Sequence, residues 1–448
     1  MGILIMGMGY VGVTTGLVLA ELGWNVIGYD PNMDRLSALT QGGLPFYEPE
    51  LSDRLQEHGK SGRMRFTTEL EGAIAASDTI FLCVGTPARE DGSADLRYIE
   101  QAARSIGKYM SSDKLIVIKS TVPVGTNEQV YRWVGEEHKG SARYDVVSNP
   151  EFLREGSAWY DALHPDRIVI GSKRRQAARK VERLFKDIPS PAIICNPRTA
   201  ELIKYASNAF LATKISYVNE LARLCDKLGV NVIDVAAGMG LDDRIGKRFL
   251  HAGIGYGGSC FPKDTQALLY ESEKQGVLLT ILDRVVHVNH TQAHYALDLW
   301  ESALGIYADK TIAVLGLSFK KDTDDMREAP SLTILEELLD RQAVVQAHDP
   351  LARLPKERRT DRLQQFDTIE GALYDADAVI LASDWKQYVE ADWKRLKRLM
   401  KQPIIFDGKN MLNRKQIKSL GYRYFGVGTN DDLAAATSEA RQEERMNR

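Results

Sequence analysis

The chain has 448 residues, enough for about three folding units, which excludes a peptide or a disulfide-stapled miniprotein. Apolar residues make up 44% and charged residues 27%, close to the soluble globular average, so neither a disordered acidic protein nor a membrane bundle fits. Lys and Arg total 58 against 61 Asp and Glu, a net charge of -3 with no basic excess for nucleic acid or an anionic membrane. The four cysteines form no C-x-x-C pair and point to thiols in a reducing compartment, the cytoplasm by default.

Residues 3 to 28 are mostly apolar with one charge, Glu21, where a signal peptide would stand. No basic segment precedes them, glycines interrupt them and Asp30 ends them, so a folded segment is expected. Strand Ile3 to Met6, turn Gly7-Met8-Gly9-Tyr10-Val11-Gly12, helix Val13 to Leu22 and strand Asn25 to Asp30 place G-x-G-x-x-G between strand and helix, with an acid 18 residues after its last glycine. In that setting Gly7 allows the turn, Gly9 lets a pyrophosphate approach the backbone, and Gly12 brings helix onto strand. Asp30 would accept hydrogen bonds from a ribose and repel a 2′-phosphate, which favours NAD over NADP.

The apolar runs Thr79 to Val84 and Leu115 to Lys119 end in Gly85-Thr86-Pro87 and in Ser120-Thr121-Val122-Pro123-Val124-Gly125-Thr126, as at the carboxyl edge of a parallel sheet. Thr86 and Thr121 suit either ligand contact or helix capping. Asn149-Pro150-Glu151-Phe152-Leu153-Arg154-Glu155-Gly156 holds two glutamates that suit acid/base work, although from the residues alone a solvated helix start with acids complementing the dipole is the preferred reading. Residues 199 to about 229 and about 277 to 304 read as long helices that connect domains or build a dimer. On the first, Lys204 and Asn208 share a face among apolar neighbours, as a snorkelling lysine would or as a placed charge with a polar partner. On the second, His287, His290 and His294 share a face without accompanying ligands, and no metal is expected.

Between these helices, Phe249-Leu-His251-Ala-Gly-Ile-Gly-Tyr256-Gly257-Gly258-Ser259-Cys260-Phe261-Pro-Lys263-Asp264 sets four glycines before a cysteine and a lysine just after it. Such a loop can wrap a ligand, and a lysine beside a thiol favours its thiolate, so Cys260 is either a nucleophile or structural. Cys83, Cys195 and Cys225 sit in apolar contexts and read as small buried hydrophobes. A second copy of the opening pattern follows: Lys310 to Gly316 repeats strand and turn, Val344 to Pro350 echoes Val26 to Pro31, and Glu370-Gly-Ala with Asp377 to Leu381 echoes Glu71-Gly-Ala with Asp78 to Leu82. The fold expected is α/β, two Rossmann-like doubly wound domains joined by a central helical region. After Gly316 the glycine triplet is incomplete, so the second copy should hold a different nucleotide or none.

Gly7-x-Gly9-x-x-Gly12, Phe46-Tyr47-Glu48-Pro49, Val84-Gly85-Thr86-Pro87, the Ser120 to Thr126 run, Pro150-Glu151-Phe152-Leu153, Lys204-x-x-x-Asn208, Gly257 to Asp264 and Gly316-Leu-Ser-Phe-Lys320 together resemble the nucleotide-sugar dehydrogenases over nearly the whole chain. The resemblance implies an NAD domain at 1–197, a helical dimerisation domain carrying the cysteine loop at 198–305, a UDP-binding domain at 306–435 and a flexible tail at 436–448. It implies oxidation of a sugar-nucleotide alcohol to a carboxylate with two NAD and one water, through an aldehyde, a thiohemiacetal and a thioester on Cys260. Lys204, Asn208 and Asp264 would manage the first proton, Thr121 would position water and Glu151 would activate it. Gly7, Gly9, Tyr10, Val11, Gly12, Asp30, Arg35, Thr86, Thr121, Glu155, Lys263 and Arg327 resemble NAD contacts. Glu151, Phe152, Leu153, Lys204, Asn208, Arg244, Phe249, Tyr256, Gly257, Phe261 and Lys320 resemble substrate contacts, and His251 stands where some relatives have a lysine. Gly255 to Gly258 looks like the UDP-glucose branch more than the GDP-mannose branch, with UDP-N-acetylglucosamine or a TDP-sugar as alternatives. A two-electron β-hydroxyacid dehydrogenase shares Lys204-x-x-x-Asn208, but Cys260 and the second α/β domain argue against it. A silent sugar-nucleotide sensor is opposed by the retained catalytic side chains.

Overall fold

The computed structural model describes residues 2–429, and the tail expected at 436–448 lies outside the described residues. The chain forms two compact units: one comprises residues up to Ser207 with Gln266–Val277, the other Asn208–Thr265 with the described chain from Leu278 onward.

The first unit is built on eight strands: β1 (Gly2–Met6), β2 (Asn25–Tyr29), β3 (Met64–Thr67), β4 (Thr79–Leu82), β5 (Lys114–Ile118), β6 (Tyr144–Ser148), β7 (Ile168–Ser172) and β8 (Ala192–Cys195). Their order is β3-β2-β1-β4-β5-β6-β7-β8, parallel except where β7 runs against β6. The central strands read as continuous apolar runs because both faces are covered. Alternate residues divide between two cores: Ile3, Ile5, Phe81 and Val117 enter one, Leu4, Met6, Ile80, Leu82 and Ile116 the other. The segment that could have passed for a signal peptide is thus the centre of a sheet and its first helix, α1 (Tyr10–Glu21). Strand order reverses between β1 and β4, and crevices at such points are where doubly wound sheets bind ligands. Also in this unit, α2 (Thr126–Glu137) follows β5.

The second unit repeats the plan with β9 (Thr311–Leu315), β10 (Val344–His348), β11 (Leu363–Phe366), β12 (Ala378–Leu381), β13 (Ile404–Asp407) and β14 (Arg423–Phe425). All are parallel, in the order β11-β10-β9-β12-β13-β14. The expected long helices form as α3 (Pro197–Leu228) and α5 (Thr280–Leu304), and the cysteine loop leads into α4 (Phe261–Lys274). Trp300 of α5 is fully buried and stacks on Phe406 at 5.2 Å, joining helix to sheet inside the second core. Among the described residues no helix is long and apolar enough to cross a membrane, and no cluster of three His, Cys, Asp or Glu side chains suits a metal.

Candidate active site

The turn after β1 is shaped by three glycines with three different reasons. Gly7 has φ +94°, and a Cβ there would lie 2.8 Å from the Val84 backbone. At Gly12 a Cβ would come within 1.8 Å of the Gly7 carbonyl oxygen, so only glycine lets α1 start this close to the strand. Gly9 is different: a Cβ would meet nothing within 4 Å, leaving an open face beside Tyr10 and Val11 at the amino end of α1, where helix N–H groups favour an anion. Asp30, buried at the end of β2, accepts from the Met8 N–H and Arg35 Nη1, both at 2.8 Å, and from the Asn32 N–H at 2.9 Å. An open glycine, a helix N-terminus and a buried acid beyond the next strand fit a dinucleotide, with the pyrophosphate over Gly9 and a ribose by Asp30.

Nearby in the same unit, Glu48 ties this turn to the loop that carries Glu151. It accepts from the Tyr10 hydroxyl and from the backbone N–H groups of Gly156 and Ala158, the latter two at 2.7 Å. Burial and the Glu48 carboxylate push the Tyr10 phenol upward. Glu155, in the same loop, is buried. Thr86 Oγ1 donates to the Thr121 carbonyl at 2.8 Å, joining the loops after β4 and β5. Neither threonine caps a helix, because the next helices begin at Arg97 and Thr126.

Glu151 overturns the solvated helix-start alternative. Residues 149–156 form no helix, and Glu151 is only 6% exposed. Its Oε1 accepts from Lys204 Nζ at 2.9 Å, while Oε2 accepts from the Leu153 N–H. Burial pushes the Glu151 carboxyl up, but Lys204, the Leu153 N–H and Lys119 outweigh it and hold the group below its ordinary value. Nor does Lys204 snorkel: it is 3% exposed and lies 5.4 Å over the Phe152 ring, on which Arg167 also stacks at 3.8 Å.

In the second unit the cysteine loop ends where α4 begins. The Asp264 N–H donates to the Cys260 carbonyl at 2.9 Å, so Cys260 stands at the helix amino end, where partial positive charge favours an anionic sulfur. Asp264 is 1% exposed; its Oδ2 accepts from Asn208 Nδ2 at 2.6 Å and its Oδ1 from Lys263 Nζ at 2.5 Å. Phe261 packs against Tyr256 and Phe249, with centroids 5.8 and 6.2 Å away. Gly257 cannot be replaced lightly, since a Cβ would fall 2.0 Å from the Glu328 carbonyl oxygen. Burial pushes the Cys83 thiol up to about 12 and raises those of Cys195 and Cys225. Cys195, expected to be buried, is only half-buried, because β8 is the edge strand.

Three predicted contacts lie in more exposed places. Arg244 is bonded to Asp242 and Arg327 to Asp325, each in a local turn, and Lys320 lies 5.5 Å over the Phe319 ring. Lys119 carries no mark in the sequence, yet its ammonium donates to Asn149 Oδ1 at 3.1 Å and burial lowers it to about 8 despite the nearby Glu151. Glu201, one turn before Lys204, is equally unmarked; it accepts from the Gly125 and Asn127 N–H groups at 2.7 and 2.8 Å and fastens the Thr121 loop. No local pattern marks either; each gains its partner from a distant stretch of chain.

The chain matches three domain models of one family: the UDP-glucose/GDP-mannose dehydrogenase NAD binding domain over residues 1–189, the central domain over 198–291 and the UDP binding domain over 313–414. It is 42% identical over 428 residues to the UDP-glucose 6-dehydrogenase TuaD of Bacillus subtilis (strain 168), covering 95% of this chain and 93% of that one. It is also 42% identical over 438 residues to the UDP-glucose 6-dehydrogenase of Rhizobium meliloti (strain 1021), covering 96% and 100%. Among solved structures, a UDP-glucose dehydrogenase from Pyrobaculum islandicum superposes with a TM-score of 0.88 at 41% identity, covering 95% of this chain and 97% of that one. The chain belongs to the UDP-glucose/GDP-mannose dehydrogenase family and is an NAD-dependent oxidoreductase.

Proposed function

We propose that this enzyme oxidises the C6 alcohol of UDP-glucose to the carboxylate of UDP-glucuronate, using one water and two NAD per sugar, with Cys260 as the covalent nucleophile. The observation that carries this reading is the thiol at the head of α4, one helical turn from a buried Asp264 that is bonded to both Asn208 and Lys263. The relatives named for UDP-glucose, at about 40% identity over most of the chain, favour that sugar over UDP-N-acetylglucosamine, TDP-glucose or GDP-mannose. The matched UDP binding domain supports a UDP-sugar in general.

NAD, when bound, accepts the hydride in each of the two oxidations. Within the network of Lys204, Asn208 and Asp264, the Asp264 carboxylate takes the C6 hydroxyl proton through water, while the Lys204 ammonium and the Asn208 amide steady the negative charge that develops on the oxygen. Cys260 then adds to the aldehyde: the sulfur–carbon bond forms, the carbonyl π pair moves to oxygen and a proton follows it, giving a thiohemiacetal. That species carries a carbinol hydrogen again and, by losing hydride and the hydroxyl proton, becomes a thioester. Glu151, held as a carboxylate by Lys204, removes a proton from a water that Thr121 orients, and attack on the thioester breaks the carbon–sulfur bond and returns the thiolate.

Gly7, Gly9, Tyr10, Val11, Gly12, Asp30, Arg35, Thr86, Thr121, Glu155, Lys263 and Arg327 are assigned to NAD. Phe152, Leu153, Arg244, Phe249, Tyr256, Gly257, Phe261 and Lys320 are assigned to the sugar nucleotide, where Arg and Lys suit a diphosphate. We assign residues 1–197 to NAD binding, 198–305 to dimerisation and the cysteine loop, and 306–435 to UDP binding. A homodimer accounts for the exposed stripe Phe210, Tyr217, Leu224 and Leu228 along α3, between 49% and 66% accessible. Thiols without a disulfide suit the cytoplasm.

The test is NADH formation against a panel of UDP-, TDP- and GDP-sugars, normalised to sugar consumed. Two NADH per UDP-glucose are expected. One NADH per substrate, or full activity after Cys260→Ala, would return the assignment to a two-electron dehydrogenase.

A further inference from the structure

The loop that presents Cys260 has no regular structure, yet its backbone is held at several points. Asn219 Oδ1 on α3 accepts from the Gly253 N–H at 2.8 Å, and Gln292 Nε2 on α5 donates to the Gly253 carbonyl at 2.8 Å. Asn289, three residues before Gln292 and on the same face of α5, uses both ends of its amide on one residue: Oδ1 accepts from the Tyr256 N–H at 2.8 Å and Nδ2 donates to the Tyr256 carbonyl at 3.0 Å. Between these anchors Gly255 has φ +110°, and a Cβ there would press to 2.9 Å from Asn289 Oδ1, so glycine and amide fit as a pair.

We propose that Asn289 is a positioning residue for catalysis, setting the path of the backbone from Tyr256 to Cys260 through its two-point grip on Tyr256. The proposal rests on the reading of Cys260 as the nucleophile. Beyond Tyr256 the chain has little slack: Gly257 passes against the Glu328 carbonyl, the Gly258 N–H donates to the Arg327 carbonyl at 2.9 Å, and α4 starts at Phe261. A grip at Tyr256 therefore governs where the thiol stands, and a covalent step is sensitive to displacements of an ångström. Asn289 itself is replaceable in folding terms, being half-buried on a helix whose apolar contacts come from Val285, Val288, Ala293 and Ala296.

Asn289→Asp keeps the acceptor and loses the donor, while Asn289→Ala loses both. Each would be assayed in the full chain with UDP-glucose and NAD for kcat, KM, NADH formed per sugar consumed, and aldehyde caught by a carbonyl reagent. The expected result is a kcat lowered roughly tenfold or more, with Asn289→Ala worse than Asn289→Asp, and NADH per sugar falling below two as aldehyde escapes a misplaced thiol. Melting temperatures should fall only modestly, as two lost hydrogen bonds require, with the variants still folded; if Asn289→Ala does not fold, Asn289→Asp carries the test alone. Unchanged kcat and two NADH per sugar in a folded variant would overturn the positioning role. Cys260→Ala, which leaves no nucleophile at that position, separates the two claims: if it still makes two NADH per sugar the nucleophile reading fails, whereas if it stops at aldehyde while both Asn289 variants behave like the parent, only the positioning role fails.

Discussion

The chain contains the same strand–turn–strand plan twice, and the two copies differ in what fills the turn. In the first, Asp30 reaches back to the Met8 N–H and the space beside Gly9 is open. In the second, Asp349 occupies the equivalent place at the end of β10, but its Oδ2 accepts from the Leu317 and Ser318 N–H groups, the Ser318 hydroxyl and the Trp385 indole, and its Oδ1 from the Leu351 and Ala352 N–H groups. Ser318, fully buried, stands where the first copy has Gly9, and Trp385 closes over it. Gly316 keeps the left-handed turn with φ +103°. The first copy then enters α1 at once, whereas the second reaches its helix α6 (Pro330–Asp340) only after a loop that carries Lys320 and Arg327. One backbone plan thus yields an open turn when the second glycine is kept, and a closed, self-satisfied turn when a serine and a tryptophan fill it.

If that contrast is right, damage to the two acids should read out differently. Asp349→Ala leaves several buried donors without an acceptor and should cost about 4 kcal/mol in denaturant unfolding, with the KM for NAD unmoved. Asp30→Ala should do the reverse, a smaller stability loss and a weakened grip on NAD.

A second contrast lies within the first unit, between two buried carboxyls. Glu151 is held low by its lysine, so its contribution to stability is present above the ordinary carboxyl range and is lost as pH falls through its folded value. Glu201 has only N–H and hydroxyl donors, and burial lifts it from 4.5 to about 7. Its contribution is therefore complete below about 4.5 and disappears as pH rises through 7. Relative to Glu201→Gln, the parent should lose up to about 3 kcal/mol between those limits, seen as a widening difference in melting temperature. A difference that stays constant with pH would contradict this.

Smaller effects sharpen the first comparison. Gly9→Val has room for its side chain and should raise the KM for NAD about tenfold with the melting temperature unchanged. Trp385→Phe removes one indole donor and should cost about 1 kcal/mol, again without touching NAD.

Much of this architecture was readable along the chain because its signals are local. The glycine turn, Asp30, the repeated strands and the thiol before α4 each declare themselves within a few residues, since tight turns and helix starts admit few side chains. The pairing of Lys204 with Glu151 did not, being separated by 53 positions. An apolar helix face shows that a lysine sits oddly, not which carboxylate meets it. Glu48 and Glu201 likewise find their backbone partners across 108 and 76 positions, and only the folded sheet edge brings those loops to them. Cys195 misled for the opposite reason: its neighbours are apolar, but it lies on an edge strand.

The covalent step is best examined on stalled turnover. Glu151→Gln should slow thioester hydrolysis, so that mixing it with UDP-glucose and NAD and analysing the quenched protein by intact and peptide mass spectrometry yields a uronyl adduct on the peptide containing Cys260. The account predicts that adduct, absent in the double variant with Cys260→Ala. No adduct on any peptide, together with two NADH per sugar from Cys260→Ala alone, would contradict it.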